Sequence, residues 1–323
     1  MKTSQPIGFI RLLSGLLLCA IAGLAAAQTE QPVTLDTPNG QLAGTLQLPA
    51  SAAKPRVALI IAGSGPTDRD GNTPVIPGRN DSLRMLAAAL AEAGIASVRY
   101  DKRGVAASLP AGMDESALRF ETFVDDAVAW VRQLKADPRF GSVAVIGHSE
   151  GSLVGMLAAQ QGGAAAFVSI AGIAEGASSV IRKQLAGKLP PELEKESERI
   201  LAGLESGVTA EPVPPALASL YRPSIQPYLI SWFKYVPVQR IATLEMPVLI
   251  VQGNTDIQVE VAQANMLHAA RPQSQLSIIP GMNHVFKHVR ANPELQAAAY
   301  ADPSLPVSPL LVKAVTDFLG KAG

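Results

Sequence analysis

Short apolar runs rich in β-branched residues recur along the chain, with stretches of helical periodicity between several of them. The runs predict strands at residues 33–37, 42–48, 57–62, 96–100, 143–146, 167–170, 248–252 and 276–279. The first two are separated by Pro38-Asn39-Gly40, and an Asn-Gly pair between two apolar runs predicts a hairpin. "VALIIAG" at 57–63 and "VLIVQG" at 248–253 are apolar throughout rather than alternating. Such runs suit central strands covered on both faces, as in a parallel sheet. Apolar positions at helical spacing predict helices at 83–93, 123–135 and 152–160, the first ended by Gly94. Strand and helix alternating in this way predicts an α/β fold with a mostly parallel sheet and helices on both faces.

One segment interrupts the alternation. Residues 175–242 contain no convincing strand. They contain a charged helical stretch, "PPELEKESERILAGLESG" at 190–207, followed by "EPVPPALASL" and the aromatic run "YRPSIQPYLISWFKYVP". A gap of that length between strands is far longer than an ordinary loop, so 175–242 is expected to be a helical insertion lying over the sheet. It divides the core into 28–174 and 243–323. Trp130 falls in a core helix pattern. Trp232, with Phe233, Tyr228 and Tyr235, belongs to the insertion and either forms its own small core or lines a pocket.

The start of the chain has a different character. Lys2 and Arg11 are followed by an apolar stretch from 12 to 24 and then by Ala25-Ala26-Ala27. This is the layout of a secretory signal peptide, cleaved after Ala27, and it predicts an exported protein, periplasmic or secreted. The apolar stretch is short for a membrane span and is broken by Ser14, Gly15 and Gly23, which argues against an uncleaved anchor. Leu18 before Cys19 argues against a lipoprotein site. Cys19 is the single cysteine of the 323 residues, so a processed chain has no disulfide, no cysteine metal site and no cysteine nucleophile. Twenty-seven basic and 27 acidic residues balance, and 48% of positions are hydrophobic. That composition allows a large core and gives no electrostatic reason to expect nucleic acid as a partner.

The candidate chemistry centres on "GHSEG". Ser149 stands between Gly147 and Gly151 where an apolar strand ends and a helical pattern begins. A strand-to-helix turn of that kind strains the serine backbone, leaves room only for glycine on either side, and points the N–H groups of a helix N-terminus at the hydroxyl. A serine hydroxyl needs a base, and the base needs an orienting acid. Asp256 follows the strand at 248–252, and His284 in "IIPGMNHVFKH" follows the strand at 276–279. Both thus fall at the carboxyl edge of the sheet, where functional loops gather. Glu260 is the alternative orienter. His148 is expected to be structural, because neighbouring side chains point apart, and His268 to belong to a helix. His284 and His288 have a metal-like spacing of four but no third ligand nearby, so no metal or cofactor is expected. For an oxyanion, the N–H of Glu150 supplies one donor. The glycine-rich loop "IAGSGPTDRDGN" supplies another, Ser64 N–H, with Gly65 as alternate. Asp68, Arg69 and Asp70 are expected to pin that loop.

"IAGSGPTDRDGN", "RYDKRGVAAS", "GHSEG", "PYLISWFKYVP", "PVLIVQGNTDIQV" and "GMNH" together resemble the α/β-hydrolases, specifically the bacterial esterases grouped with serine aminopeptidase-like hydrolases. The resemblance implies an eight-stranded sheet with a helical cap and hydrolysis of small-molecule esters through an acyl-enzyme. It also implies Ser149, Asp256 and His284 as a triad, and Ser64 and Glu150 as oxyanion donors. There are three departures from the pattern. Ala62-Gly63 replaces the usual His-Gly, "RGVAAS" lacks a second glycine, leaving Asp101 and Arg103 a structural role, and "GHSEGS" lacks a frequent double glycine. Two other readings are an aminopeptidase, for which Glu150 and Glu175 would have to hold an amine, and a non-catalytic binding protein on the same scaffold.

Overall fold

Eight strands form one sheet in the computed structural model, which describes residue 1 and residues 28–50 and 53–321. The signal peptide expected at residues 1–27 therefore lies outside the described residues, Met1 apart. In chain order the elements are β1 (Thr29–Thr37), β2 (Gly40–Leu48), β3 (Val57–Ile61), α1 (Ser82–Glu92), β4 (Ala96–Tyr100), α2 (Phe120–Ala136), β5 (Val143–His148), α3 (Glu150–Gly162) and β6 (Ala166–Ile170). Then come α4 (Ala177–Leu185), α5 (Pro191–Glu205), α6 (Ala218–Tyr221), α7 (Gln226–Phe233), α8 (Pro237–Ala242), β7 (Val248–Gly253), α9 (Val261–Ala270), β8 (Gln275–Ile279), α10 (Pro293–Ala301) and α11 (Pro309–Lys321).

The sheet order is β1-β2-β4-β3-β5-β6-β7-β8. β1 and β2 form an antiparallel hairpin, β2 pairs antiparallel with β4, and every pairing from β4 through β8 is parallel. All eight predicted strands are present. The hairpin closes one residue earlier than the Asn-Gly signal suggests: Thr37 pairs with Gly40, so the loop is Pro38-Asn39. β1 begins four residues before its predicted start, because Thr29 to Pro32 pair along an exposed edge where no apolar pattern is required.

The continuously apolar runs are explained by the layers on each side. In β3, Val57, Leu59 and Ile61 pack into one core with Val124, Ala127, Trp130 and Val131 of α2, while Ala58 and Ile60 pack into a second core with Leu86 and Leu90 of α1 and Val315 of α11. Successive side chains of a strand point to opposite faces, so a strand between two helical layers needs apolar residues at every position. Full burial of each such Leu or Ile contributes about 1.5–3 kcal/mol. Trp130 is completely buried, as its helix pattern predicts.

Between β6 and β7 the chain forms α4 to α8 and two short 3-10 turns, with no strand. Arg182 of α4 binds both Glu198 and Glu205 of α5. Ile200, Leu201 and Leu204 of α5 are buried, with Leu217 and Tyr221. The segment also grips the body of the protein. Phe120 N–H donates to Ser231 Oγ at 2.7 Å, the Phe120 ring stacks on Trp232 at 6.0 Å, and Arg222 Nε donates to Glu115 at 2.8 Å. The aromatic run therefore does both things considered for it, building a core against α2 and, through Trp232, facing a cavity.

Candidate active site

Ser149 joins β5 to α3 with φ 56° and ψ −122°. A non-glycine residue in such a sparsely populated conformation costs about 1–3 kcal/mol and persists only where its surroundings impose it. Those surroundings are on hand. Ser149 N–H donates to Ile170 O of β6 at 3.0 Å. A Cβ on Gly147 would stand 2.6 Å from Ser152 Cα, and one on Gly151 2.6 Å from the Ile61 carbonyl oxygen. Glycine is thus required on both sides of the serine for lack of space. Glu150 opens α3, so its N–H is among those a helix N-terminus leaves without an internal partner.

Asp256 and His284 arrive on separate loops that are bonded to each other. Thr255 N–H donates to Met282 O, Asn254 N–H to Ile279 O and Gly281 N–H to Asn254 Oδ1. His284 Nδ1 lies 2.8 Å from Asp256 Oδ2, with side chains 6% and 1% exposed. The other Asp256 oxygen accepts Gln258 N–H and Val259 N–H, and Gln252 Nε2 donates to Oδ2 at 3.0 Å. Burial alone would raise this carboxyl. The His284 bond and charge, with the two backbone N–H groups, outweigh it and hold the group below the usual carboxylate range. Because Asp256 accepts at Nδ1, the neutral His284 tautomer carries its proton there and leaves Nε2 free to accept one.

Two cavities meet at Ser149 and Ser64. One, about 260 Å³, is bounded by the loop after β3 and by His148, His284 and Tyr300. The other, about 270 Å³, runs beneath the helical segment and is lined chiefly by Leu153, Ile173, Ile181, Leu229 and Trp232, with the carboxylates of Glu150 and Glu175 at its wall. Leu229 and Trp232 of α7 line this cavity, while Ile230 lines a separate surface groove. Glu175 is bonded to Lys183 and Gln263, and Glu150 accepts the Tyr228 hydroxyl at 2.5 Å.

Proteins of known structure share this overall fold. Est1E from Butyrivibrio proteoclasticus, solved alone and with ferulic acid bound, superimposes with TM-scores of 0.59 and 0.61 over 90% of this chain and 98% of its own, at 19% identity. GrgF from Penicillium sp. sh18, described as an α/β-hydrolase, gives 0.55 over 79% and 91% at 20% identity. The chain has the α/β-hydrolase fold. A model of the serine aminopeptidase (S33) family matches residues 75–204. Esterase EstD of Thermotoga maritima is 27% identical over 253 residues, which is 77% of this chain and 58% of EstD.

Within this fold the other candidate residues separate cleanly. Glu260 is exposed and precedes α9, and among the described residues the carboxylate bonded to His284 is that of Asp256. His268 lies on α9 against Ser274 Oγ. His288 is exposed at an isolated bridge to Met282, so it shares no helix face with His284. Asp68 accepts the N–H groups of Asp70 and Asn72, Arg69 binds Asp101 at 2.7 Å, and Asp70 binds Arg99 at 3.0 Å, so the three charged residues do pin their loop. Arg103 is buried against Asp126.

Two contributors to the site have no sequence signal. Gln252, at the end of a uniformly apolar strand, supports Asp256. His148 is not directed away from the site, as neighbours in a strand turn suggest. Its ring lies 4.7 Å from that of His284, and its Nε2 is 3.0 Å from the His284 carbonyl. Burial, reinforced by the nearby His284, lowers its pKa to about 3. His148 is therefore neutral, and its Nε2–H donates to that carbonyl.

Proposed function

We propose that the protein hydrolyses carboxylic esters through an acyl-enzyme on Ser149, with His284 as base and Asp256 as orienter. The observation that carries this reading is the buried Asp256–His284 bond bordering the cavity onto which Ser149 opens. As Ser149 Oγ attacks the ester carbonyl, His284 Nε2 takes its proton, and the imidazolium is stabilised by Asp256. The N–H groups of Ser64 and Glu150 receive the oxyanion. Collapse breaks the bond to the alkoxy group, which leaves with the proton from His284. Water then attacks the acyl carbonyl, giving its proton to Nε2, and the acid is released from Ser149. The steps call on no cofactor.

The two cavities divide the substrate. The proton donor has to reach the leaving oxygen, and His284 borders the first cavity and not the second. The alcohol portion therefore takes the first cavity and the acyl portion the apolar one under the helical segment, which acts as a cap. Residues 28–174 and 243–323 make the body, with 175–242 as the insertion. EstD, named an esterase, favours esters. The serine aminopeptidase family match keeps amide cleavage as a second reading, for which Glu150 and Glu175 are the carboxylates at hand, although both are engaged by Tyr228 and Lys183. Export, with processing after Ala27, belongs to the same proposal and is checked by sequencing the N-terminus of protein recovered outside the cytoplasm.

The test compares p-nitrophenyl esters with aminoacyl p-nitroanilides on one purified sample, alongside Ser149→Ala and labelling by a fluorophosphonate. Ester turnover and labelling, both lost in Ser149→Ala, are expected. Turnover retained by Ser149→Ala refutes the mechanism, faster amide cleavage favours the aminopeptidase, and an unlabelled, inactive protein is a binder.

A further inference from the structure

Lys102 follows β4 and is buried, yet no carboxylate among the described residues lies within ion-pair distance of it. Its ammonium donates to the Gly63 carbonyl at 2.5 Å and sits 5.8 Å from the centre of the Phe123 ring. Removing an unpaired ammonium from water is costly, and burial lowers the pKa of Lys102, opposed only by the charge of Glu150.

The acceptor is what makes the residue informative. The Gly63–Ser64 peptide lies directly against the nucleophile, since a Cβ on Gly63 would be 3.2 Å from Ser149 Cβ. In a trans peptide the C=O and the following N–H point in opposite directions. A carbonyl turned toward Lys102 therefore turns Ser64 N–H away from it, and Ser64 lines both cavities at Ser149. Among the described residues that N–H has no protein acceptor. A charge-assisted bond to the carbonyl also polarises the amide and strengthens its N–H as a donor.

We propose that Lys102 is a positioning residue for the oxyanion site, holding the Gly63 carbonyl so that Ser64 N–H stays aimed at the tetrahedral oxygen formed on Ser149. The proposal rests on the ester-hydrolase reading. The anchor for the Ala62-Gly63-Ser64 turn thus comes from the end of the neighbouring strand, β4.

The experiment uses the purified wild type, Lys102→Met and Lys102→Gln, each normalised to the fraction that reacts with a fluorophosphonate and checked by thermal melting. In Lys102→Met kcat for p-nitrophenyl acetate is expected to fall about 10²-fold, the scale of losing one oxyanion donor, with KM within threefold. Phenylboronic acid, which forms a tetrahedral adduct on the serine, should bind correspondingly more weakly. Lys102→Gln, a neutral donor, should fall between. A kcat within threefold of wild type in either folded variant overturns the proposal. So does a loss confined to KM and melting temperature, which would make Lys102 a strut for the loop. A wild type that turns over no ester overturns the ester reading and this proposal together, whereas an active wild type with unaffected variants overturns this proposal alone.

Discussion

The hydroxyl of Tyr228, on α7, donates to the carboxylate of Glu150, the residue immediately after Ser149, at 2.5 Å. Burial and the Glu150 charge push the Tyr228 phenol well above its usual range, so it remains a donor at any working pH. One hydrogen bond thus links the helical segment to the turn that bears the serine. Tyr228→Phe removes it and leaves a half-buried carboxylate short of a donor. The expected loss is about 1–3 kcal/mol, measured by urea unfolding, with KM rising for long-chain esters as the segment loosens.

Asp256→Asn keeps the shape of the site but no longer favours the His284 tautomer with its proton on Nδ1. In a serine triad that exchange lowers kcat by about 10⁴-fold. A steady-state kcat within tenfold of wild type would remove Asp256 from its proposed role.

His148 gives the protein a sensitivity to acid. Its folded pKa is about 3, whereas in the unfolded chain an imidazole takes up its proton near about 6.5. Between these values the unfolded state binds more protons, so stability falls as pH drops from 6.5 toward 3, by up to about 1.4 kcal/mol per pH unit. Unfolding free energies at pH 6.5 and 4.5 should differ more in wild type than in His148→Gln. Equal differences would place the acid sensitivity elsewhere.

Leu229 and Trp232 lie in the wall of the apolar cavity. Leu229→Trp fills space there and should reduce kcat/KM for hexanoyl esters at least tenfold relative to acetyl esters. Reduction of both alike would mean that the acyl group lies in the other cavity.

Arg103 and Asp126 form a buried pair at 2.6 Å, with side chains 3% and 6% exposed. Even so, burial leaves the Asp126 carboxyl raised above its ordinary value. Arg103→Ala strands that carboxylate and should cost about 3–5 kcal/mol, while Arg103→Met with Asp126→Leu should cost less. Both are read from chemical denaturation.

The strands were legible because their constraint is local: a position between two helical layers has to be apolar, and "VALII" and "VLIVQG" record it residue by residue. The glycines around Ser149 were legible for the same reason, since the space that excludes a side chain there is set by β3 and α3. Asp256 and His284 could be chosen because each directly follows a strand end, and the structure brings them together. What the sequence did not disclose depends on contacts between distant segments. The exposed edge of β1 carries no pattern, Gln252 looks like one more buried position, and the place of His148 is decided by a loop 136 residues later. The packing of α4 to α8 is of the same kind, since Phe120 and Ser231 meet across 111 residues of chain.

The position of Ser149 at the junction of two chambers has a kinetic corollary on the proposed reading. Once the first product departs, the chamber beside His284 stands empty while the bound acyl group still fills the other. Whatever small hydroxyl compound enters next receives that group. In dilute buffer this is water, whereas in a methanol-rich mixture the same molecule would make methyl esters, at a ratio set by how well each nucleophile occupies the vacated space.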